Sequence, residues 1–279
     1  MRVAFFGSPA YAVATLERLH GEHNVVLVVA QPDAPAGRGM ARRQPAVAAR
    51  AEQLGLPLAQ PERLRKNASF AETLRVARLD VAITVAYGKI LPAALLDVPV
   101  HGFLNAHASL LPALRGAAPI QWALIDGHDV TGVTIMQTEA GLDTGPIRLV
   151  RTEAIRPDDT ATSLSARLAN LSANAVSDAL HALEAGELPS TLQDEARATH
   201  APMLAKADGH VRWRESTRAI HDRWRGVHVW PGTRFAYGEA WIRADTLAPC
   251  RDACPPGLEP GTVVAVNDGV HVAAADGCI

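Results

Sequence analysis

The chain has 279 residues, 48% hydrophobic and 20% charged, with a formal net charge of −2. That mix is ordinary for a globular protein, and the length allows one large core and a smaller one. No apolar run reaches the length needed to span a bilayer, and a bulk charge this close to neutral does not by itself indicate a nucleic-acid partner.

In chain order, Arg2–Phe6 is an apolar run that ends in Gly7-Ser8-Pro9, and a helical pattern follows through Ala14, Leu16 and Leu19. This start lacks the apolar core and cleavage site of a secretory leader. Val25–Ala30 is a second continuous apolar run, as expected of a strand covered on both faces. A loop rich in proline, glycine and arginine follows, then a helix over Ala46–Leu54 and a short strand near Leu58. Next come a helix over Ala68–Arg78, a strand over Val81–Ala86, a short helix near Pro92–Leu96 and a strand over Gly102–Ala106. Strands alternating with helices predict an α/β fold, a doubly wound and mostly parallel Rossmann-like sheet. In such sheets ligands bind at the carboxyl ends of the strands.

Pro119 suits a first helical turn and Gly127 a helix stop, which predicts a helix over Ala118–Asp126. Val133–Gln137 and Ile147–Val150 read as strands joined through Gly141-Leu142-Asp143-Thr144-Gly145. Asp159-Thr160 caps a long helix running to about Glu187. Residues 186–202 are polar and proline-bearing, the best linker in the chain. The division is therefore a catalytic domain over 1–188, a linker over 189–204 and a smaller, mostly β, OB-like barrel over 205–279. A helix over Thr217–Arg225 precedes short strands there, and the pattern stops at Ile279 with no closing element, as if incomplete. Cys250, Cys254 and Cys278 are odd in number and confined to this end, so neither a disulfide framework nor a paired-cysteine zinc site is expected. A cytoplasmic protein without a metal or a membrane partner is the expectation.

The charge is unevenly spread. Arg38, Arg42, Arg43 and Arg50 stand together in a stretch with no acid, and eight basic residues against four acidic ones lie between Lys206 and Arg243. These make two basic patches on a mildly acidic chain. Trp213, Trp224 and Trp230, inside the second patch, read as core side chains.

The segment from Phe103 to Gly145 carries the chemistry. Asn105 and His107 fall on one side of a strand at its exit, and Asp143 lies between two glycines. Taken singly, Asn105 suits a turn, His107 a satisfied interior histidine and Asp143 a plain turn former. Together they supply a hydrogen-bond donor, a proton carrier and an orienting anion, which is enough for acyl transfer without a covalent enzyme intermediate.

The strings HASLLPALRGAAPIQWALIDG, QPDAPAGRG and GLDTG are similar to those of the methionyl-tRNA formyltransferases of the folate-dependent formyltransferase superfamily. The resemblance covers nearly the whole chain, from VAFFGSP through VAYGKILP to the C-terminal region. It implies Asn105, His107 and Asp143 as catalytic residues, 10-formyltetrahydrofolate as co-substrate and methionyl initiator tRNA as acceptor. It further implies folate contacts from Ser109, Leu110, Leu111 and Pro112, and from the segment at Val85, Tyr87 and Gly88. For tRNA it implies the loop with Arg38, Arg42 and Arg43, a C-terminal patch of Lys206, Arg212, Arg214, Arg218, Arg223 and Arg225, and a monomer. Arginines stand where many relatives carry lysines after that loop, which keeps the charge and alters the hydrogen-bond geometry.

Two sister activities use a similar site. A glycinamide ribonucleotide formyltransferase needs a phosphate loop after the first strand, where this chain reads GSPAYAV. A sugar-nucleotide formyltransferase would have no use for the arginine loop or the basic second domain. A non-catalytic tRNA-binding protein would have no use for a proton shuttle.

Overall fold

A computed structural model describes every residue except 37–40, 251–253 and 267–268. The chain begins with β1 (Arg2–Gly7), α1 (Val13–Glu22) and β2 (Asn24–Val29), then an antiparallel hairpin of β3 (Ala34–Ala36) and β4 (Ala41–Arg43). It continues through α2 (Ala46–Gln53), β5 (Leu58–Ala59), α3 (Ala68–Val76), β6 (Val81–Val85), α4 (Ala93–Leu96), β7 (Phe103–His107) and β8 (Arg115–Gly116). Then come α5 (Pro119–Ile125), β9 (Val130–Gln137), β10 (Ile147–Ala154), α6 (Ala161–Glu184) and β11 (His200–Ala201). Two compact units result, one of residues 1–117, 132–153 and 165–200, the other of 118–131, 154–164 and 201–279.

Seven strands form one sheet in the order β10-β9-β7-β6-β1-β2-β5. β1 pairs in parallel with β2 and β6, and β6 with β7, while β9 runs antiparallel to β7. All five residues of β6 and all but the first of β1 are buried, which is why both are almost wholly apolar in sequence. The chain reverses its direction of winding between β1 and β6, and a doubly wound sheet opens its crevice there.

The boundaries differ from the sequence expectation in instructive ways. β7 is Phe103–His107, so His107 is the last strand residue and shares its rigidity. α6 ends at Glu184, because Gly186 takes φ +74° and closes a Schellman turn: its N–H donates to Leu183 and that of Glu187 to Ala182. The same pair of bonds, from Gly127 to Leu124 and His128 to Ala123, stops α5 where expected. Residues 189–200 are hydrogen-bonded to the sheet unit along much of their length, through Thr191 to Ile147 and through Thr199 to Pro112 and Arg115.

The core beside β1 is aromatic. Phe6 meets Phe70, Tyr87 and Phe103 edge to face, with ring centres 6.4, 5.4 and 5.2 Å apart. The Tyr87 hydroxyl is buried in that cluster with no hydrogen-bond partner among the described residues, and burial pushes its pKa up to about 12.

In the second unit α5 and α7 (Thr217–Val227) pack closely. A Cβ on Gly226 would lie 2.7 Å from the Ile125 side chain and 2.8 Å from the Gln121 carbonyl, so only glycine permits that approach. β12 (Thr233–Tyr237) with β13 (Ala240–Ala244), and β14 (Val263–Val266) with β15 (Val270–Val272), form two antiparallel hairpins, each its own two-stranded sheet. Trp213 packs on Phe235 as expected of a core residue, whereas Trp230 is 52% exposed because it lies just past α7 where the chain turns out. The cysteines also depart from expectation: the bridge from Ala273 to Cys278 folds the chain end back, and Cys254 and Cys278 form a disulfide. Among the described residues no helix is long and apolar enough to cross a membrane.

The phenol of Tyr87 gives a test of this core. Unfolded, it loses its proton near pH 10; folded, it keeps it to about pH 12, so stability is full below pH 10 and falls between the two values. Tyr87→Phe removes an unsatisfied buried hydroxyl, and is expected to raise the unfolding free energy by about 1 kcal/mol at pH 8. Denaturant melts of both proteins at pH 8 and pH 11 should show that advantage widening at the higher pH.

Candidate active site

Thr84 on β6 stands opposite Asn105 on β7, and its hydroxyl lies 2.8 Å from Asn105 Oδ1. An amide oxygen only accepts, so Thr84 is the donor and fixes which way the amide is turned. The Nδ2 group is then the edge of Asn105 left to donate elsewhere, from a residue that is only half buried.

Two residues on, His107 is buried, with Nε2 2.9 Å from the Leu114 carbonyl and Nδ1 3.6 Å from Asp143 Oδ2. A carbonyl cannot donate, so Nε2 carries the hydrogen and Nδ1 is the nitrogen that can take or give up a proton beside Asp143. Thr134 on β9, opposite His107, donates to the Ser109 carbonyl at 2.7 Å and accepts from the Leu111 N–H at 3.1 Å. Ser109 in turn donates to the Ala113 carbonyl at 2.6 Å, and the Leu111–Pro112 peptide is cis.

Asp143 takes φ +54°, a left-handed conformation that aspartate tolerates better than most residues. Its Oδ2 accepts from the Gly116 N–H at 2.9 Å. A Cβ on Gly145 would sit 1.8 Å from the Gln137 carbonyl oxygen, so this loop closes against β9 only with glycine there. Gln193 Nε2 donates to the carbonyls of both Asp143 and Gly145 at 2.8 Å, and its Oε1 accepts from Arg115 Nε at 3.1 Å and Nη2 at 2.8 Å. The outer edge of Arg115 pairs with both oxygens of Glu195, at 2.8 and 2.7 Å. That hydrogen bond holds the Glu195 carboxyl below its usual range.

The structure thus brings Asn105, His107 and Asp143 together and leaves some other expected residues elsewhere. The Val85 and Tyr87 side chains turn into the core, so this segment offers a ligand backbone groups and Gly88 rather than side chains. The Tyr87 carbonyl already accepts from Gln31 at 2.8 Å. Ser109 and Leu111 are buried, and Leu110 and Pro112 are partly open. Arg42 and Arg43 are exposed on β4, while Arg38 lies outside the described residues. Lys206 and Arg212 are exposed in the second unit, as are Arg214 and Arg218, but Arg223 and Arg225 are not available to RNA. Both are buried: Arg223 pairs with Glu215, and Arg225 with Asp222 and the carbonyls of Arg156 and Asp159. On an amphipathic helix their charges looked solvent-facing, and only packing shows that they face inward.

Four contributors escaped the sequence reading. Thr84 had a faint signal, one hydroxyl inside an apolar strand. Leu114, Arg115 and Gln193 had none, since their roles come from backbone conformation and from contacts across 78 residues.

An amide donor beside an imidazole–carboxylate pair suits acyl transfer, and comparison with known proteins gives the family. The formyl transferase family model matches residues 1–180, and its C-terminal domain matches 203–279. The chain belongs to the formyl transferase family. It is 53% identical over 279 residues to methionyl-tRNA formyltransferase of Deinococcus radiodurans, covering 100% of this chain and 86% of the relative. It is 46% identical to the protein of the same name from Thermus thermophilus, covering 100% of this chain and 89% of that one. Among solved structures, an N-formyltransferase from Helicobacter canadensis, in complex with folinic acid and dTDP-3-aminofucose, shares the fold. Its TM-score is 0.75 at 14% identity, covering 100% and 97% of the two chains. HypX from Aquifex aeolicus, in complex with tetrahydrofolic acid, gives 0.65 at 17%, covering 100% and 43%.

If Thr84 sets the Asn105 amide, Thr84→Val lets it turn over. Formyl transfer is expected to fall about tenfold, since one donor aimed at a developing oxyanion is worth roughly 3 kcal/mol and a freed amide still samples the right orientation. Thr84→Ser should keep near-normal kcat. Steady-state kinetics with a thermal melt as control decides it, and equal losses in the two variants would count against the role.

Proposed function

We propose that this protein transfers the formyl group of 10-formyltetrahydrofolate to the free α-amino group of methionine on initiator tRNA, producing formylmethionyl-tRNA for translation initiation in the cytoplasm. The observation that carries the choice of acceptor is the 53% identity, across the whole chain, to a protein named methionyl-tRNA formyltransferase.

The site geometry supports the chemistry. A neutral amine attacks the formyl carbon and makes a tetrahedral centre with an oxyanion and a protonated nitrogen. Asn105 Nδ2, turned outward by Thr84, donates to the oxyanion. The extra proton must reach the departing folate nitrogen. With His107 Nε2 bonded to Leu114, the ring's exchangeable nitrogen faces Asp143, so Asp143 meets the amine's proton and His107 Nδ1 shares it. The Gly116 N–H keeps the carboxylate aimed at the ring.

In this reading residues 1–188 hold the donor and the chemistry. The folate ring system lies along the partly open backbone of Ser109–Pro112 and of the Val85, Tyr87 and Gly88 segment, a flat ligand gripped by main-chain groups. Arg42 and Arg43 contact tRNA phosphates from β4, Arg38 joins them in this reading, and Lys206 and Arg212 do so from residues 205–279.

Three measurements test this reading. Asn105→Ala, His107→Ala and Asp143→Ala should each lower kcat by about 10²–10³, with the tRNA dissociation constant changed less than threefold. Incubating the protein and formyl donor with either methionyl initiator tRNA or glycinamide ribonucleotide decides the acceptor. Transfer to the ribonucleotide alone rejects the proposal. Replacing Arg42 and Arg43 together by Ala should lower the slope of log affinity for tRNA against log salt by about 2 and leave the folate KM unchanged, an unaltered slope removing them from the interface.

A further inference from the structure

Gln193 lies in a segment that reads as linker, yet every polar atom of its side chain is engaged at the site. Its Nε2 donates both hydrogens, one to the carbonyl of Asp143 and one to that of Gly145, each at 2.8 Å. Its Oε1 accepts from two nitrogens of Arg115, a residue 4% exposed in its side chain. Arg115 is the residue before Gly116, whose N–H holds the Asp143 carboxylate, and the residue after Leu114, whose carbonyl holds His107. Leu114 takes φ +59°, and its N–H is held by Thr199 Oγ1 at 2.8 Å, from the same linker segment.

We propose that Gln193 is a positioning residue for formyl transfer: it fixes the Asp143 loop against the Leu114–Gly116 segment and so sets the geometry between Asp143 and His107. The inference rests on the reading of Asp143 as the proton carrier. Two left-handed residues, Leu114 and Asp143, meet the two ring nitrogens of His107, and such a conformation in a non-glycine residue is unfavourable unless its surroundings enforce it. Gln193 enforces one of them from the carbonyl side and Thr199 enforces the other from the N–H side. The Asp143–His107 contact stands at 3.6 Å, where a shift of a few tenths of an ångström separates a proton-sharing pair from a mere electrostatic one. A glutamine is suited to this position because one planar group donates twice to the loop while accepting from the guanidinium. A glutamate would keep the Arg115 contact and could not donate to the carbonyls.

The test uses the full chain with Gln193→Ala and Gln193→Glu, each also combined with Asp143→Ala. Both single variants are expected to lower kcat about 30-fold, with KM for 10-formyltetrahydrofolate and for methionyl tRNA within about twofold and thermal midpoints within a few degrees of the parent. In the Asp143→Ala background the same changes should add less than about twofold, because the group they position is gone. A 30-fold loss persisting in that background, or a Gln193→Glu protein with normal kcat, overturns the proposal. A fall in kcat that tracks only a lowered midpoint overturns it too, as a structural effect. Asp143→Ala retaining the parent kcat shows instead that the underlying reading of Asp143 is wrong, and the proposal fails with it.

Discussion

A carbonyl oxygen accepts a hydrogen bond and cannot give one, and the Leu114 carbonyl, 2.9 Å from His107 Nε2, imposes that asymmetry on the whole site. It leaves the ring a single exchangeable position, Nδ1, and that position faces Asp143. The tautomer is therefore set by the protein rather than by the substrate. For the carbonyl to point there, Leu114 must adopt a left-handed backbone, and the neighbouring loop must bring Asp143 to meet the ring. The contacts of Thr199, Arg115 and Gln193 all serve those two requirements.

The sheet supplies rigidity on the other side. Asn105 and His107 are the third and fifth residues of β7, two apart on one pleat, so their separation is that of a strand rather than of a loop. β6 adds Thr84 opposite the first and β9 adds Thr134 opposite the second. Two hydroxyls in apolar strands thus orient an amide and pin the loop that follows the imidazole. Hydrogen bonds of this kind hold donors in place before charge develops, and in preorganised sites much of the benefit comes from that.

The second unit follows a different logic. Its helices α5 and α7 approach closely at Gly226, and its arginines divide into two groups by burial. Arg223 and Arg225 neutralise Glu215 and Asp222 inside the unit and are structural. Lys206, Arg212 and Arg214 remain on the surface, where phosphate recognition is open to them. Counting basic residues along the sequence merges the two groups, because a charge looks the same in a sequence whether it is solvated or paired.

Much of the architecture was legible beforehand. Continuous apolar runs announced β1 and β2, Pro119 and Gly127 bounded α5, and the order of elements implied a doubly wound sheet with its site at the strand ends. Asn105, His107 and Asp143 were legible because a strand's period of two and a glycine-flanked turn place side chains by local rules. Local rules could not show that Gln193 reaches Asp143 or that Arg115 bridges to it, since those contacts join residues 50 and 78 apart. Nor could they show that the Tyr87 ring goes inward, that Trp230 stays outside, or that Cys254 meets Cys278. The sequence by itself placed Asn105 and His107 on one side of a strand exit and Asp143 in a glycine-flanked turn, through patterns set by neighbours a few residues away. The tertiary structure alone decided how each group is turned, because orientation depends on hydrogen-bond partners that only chain folding brings within reach.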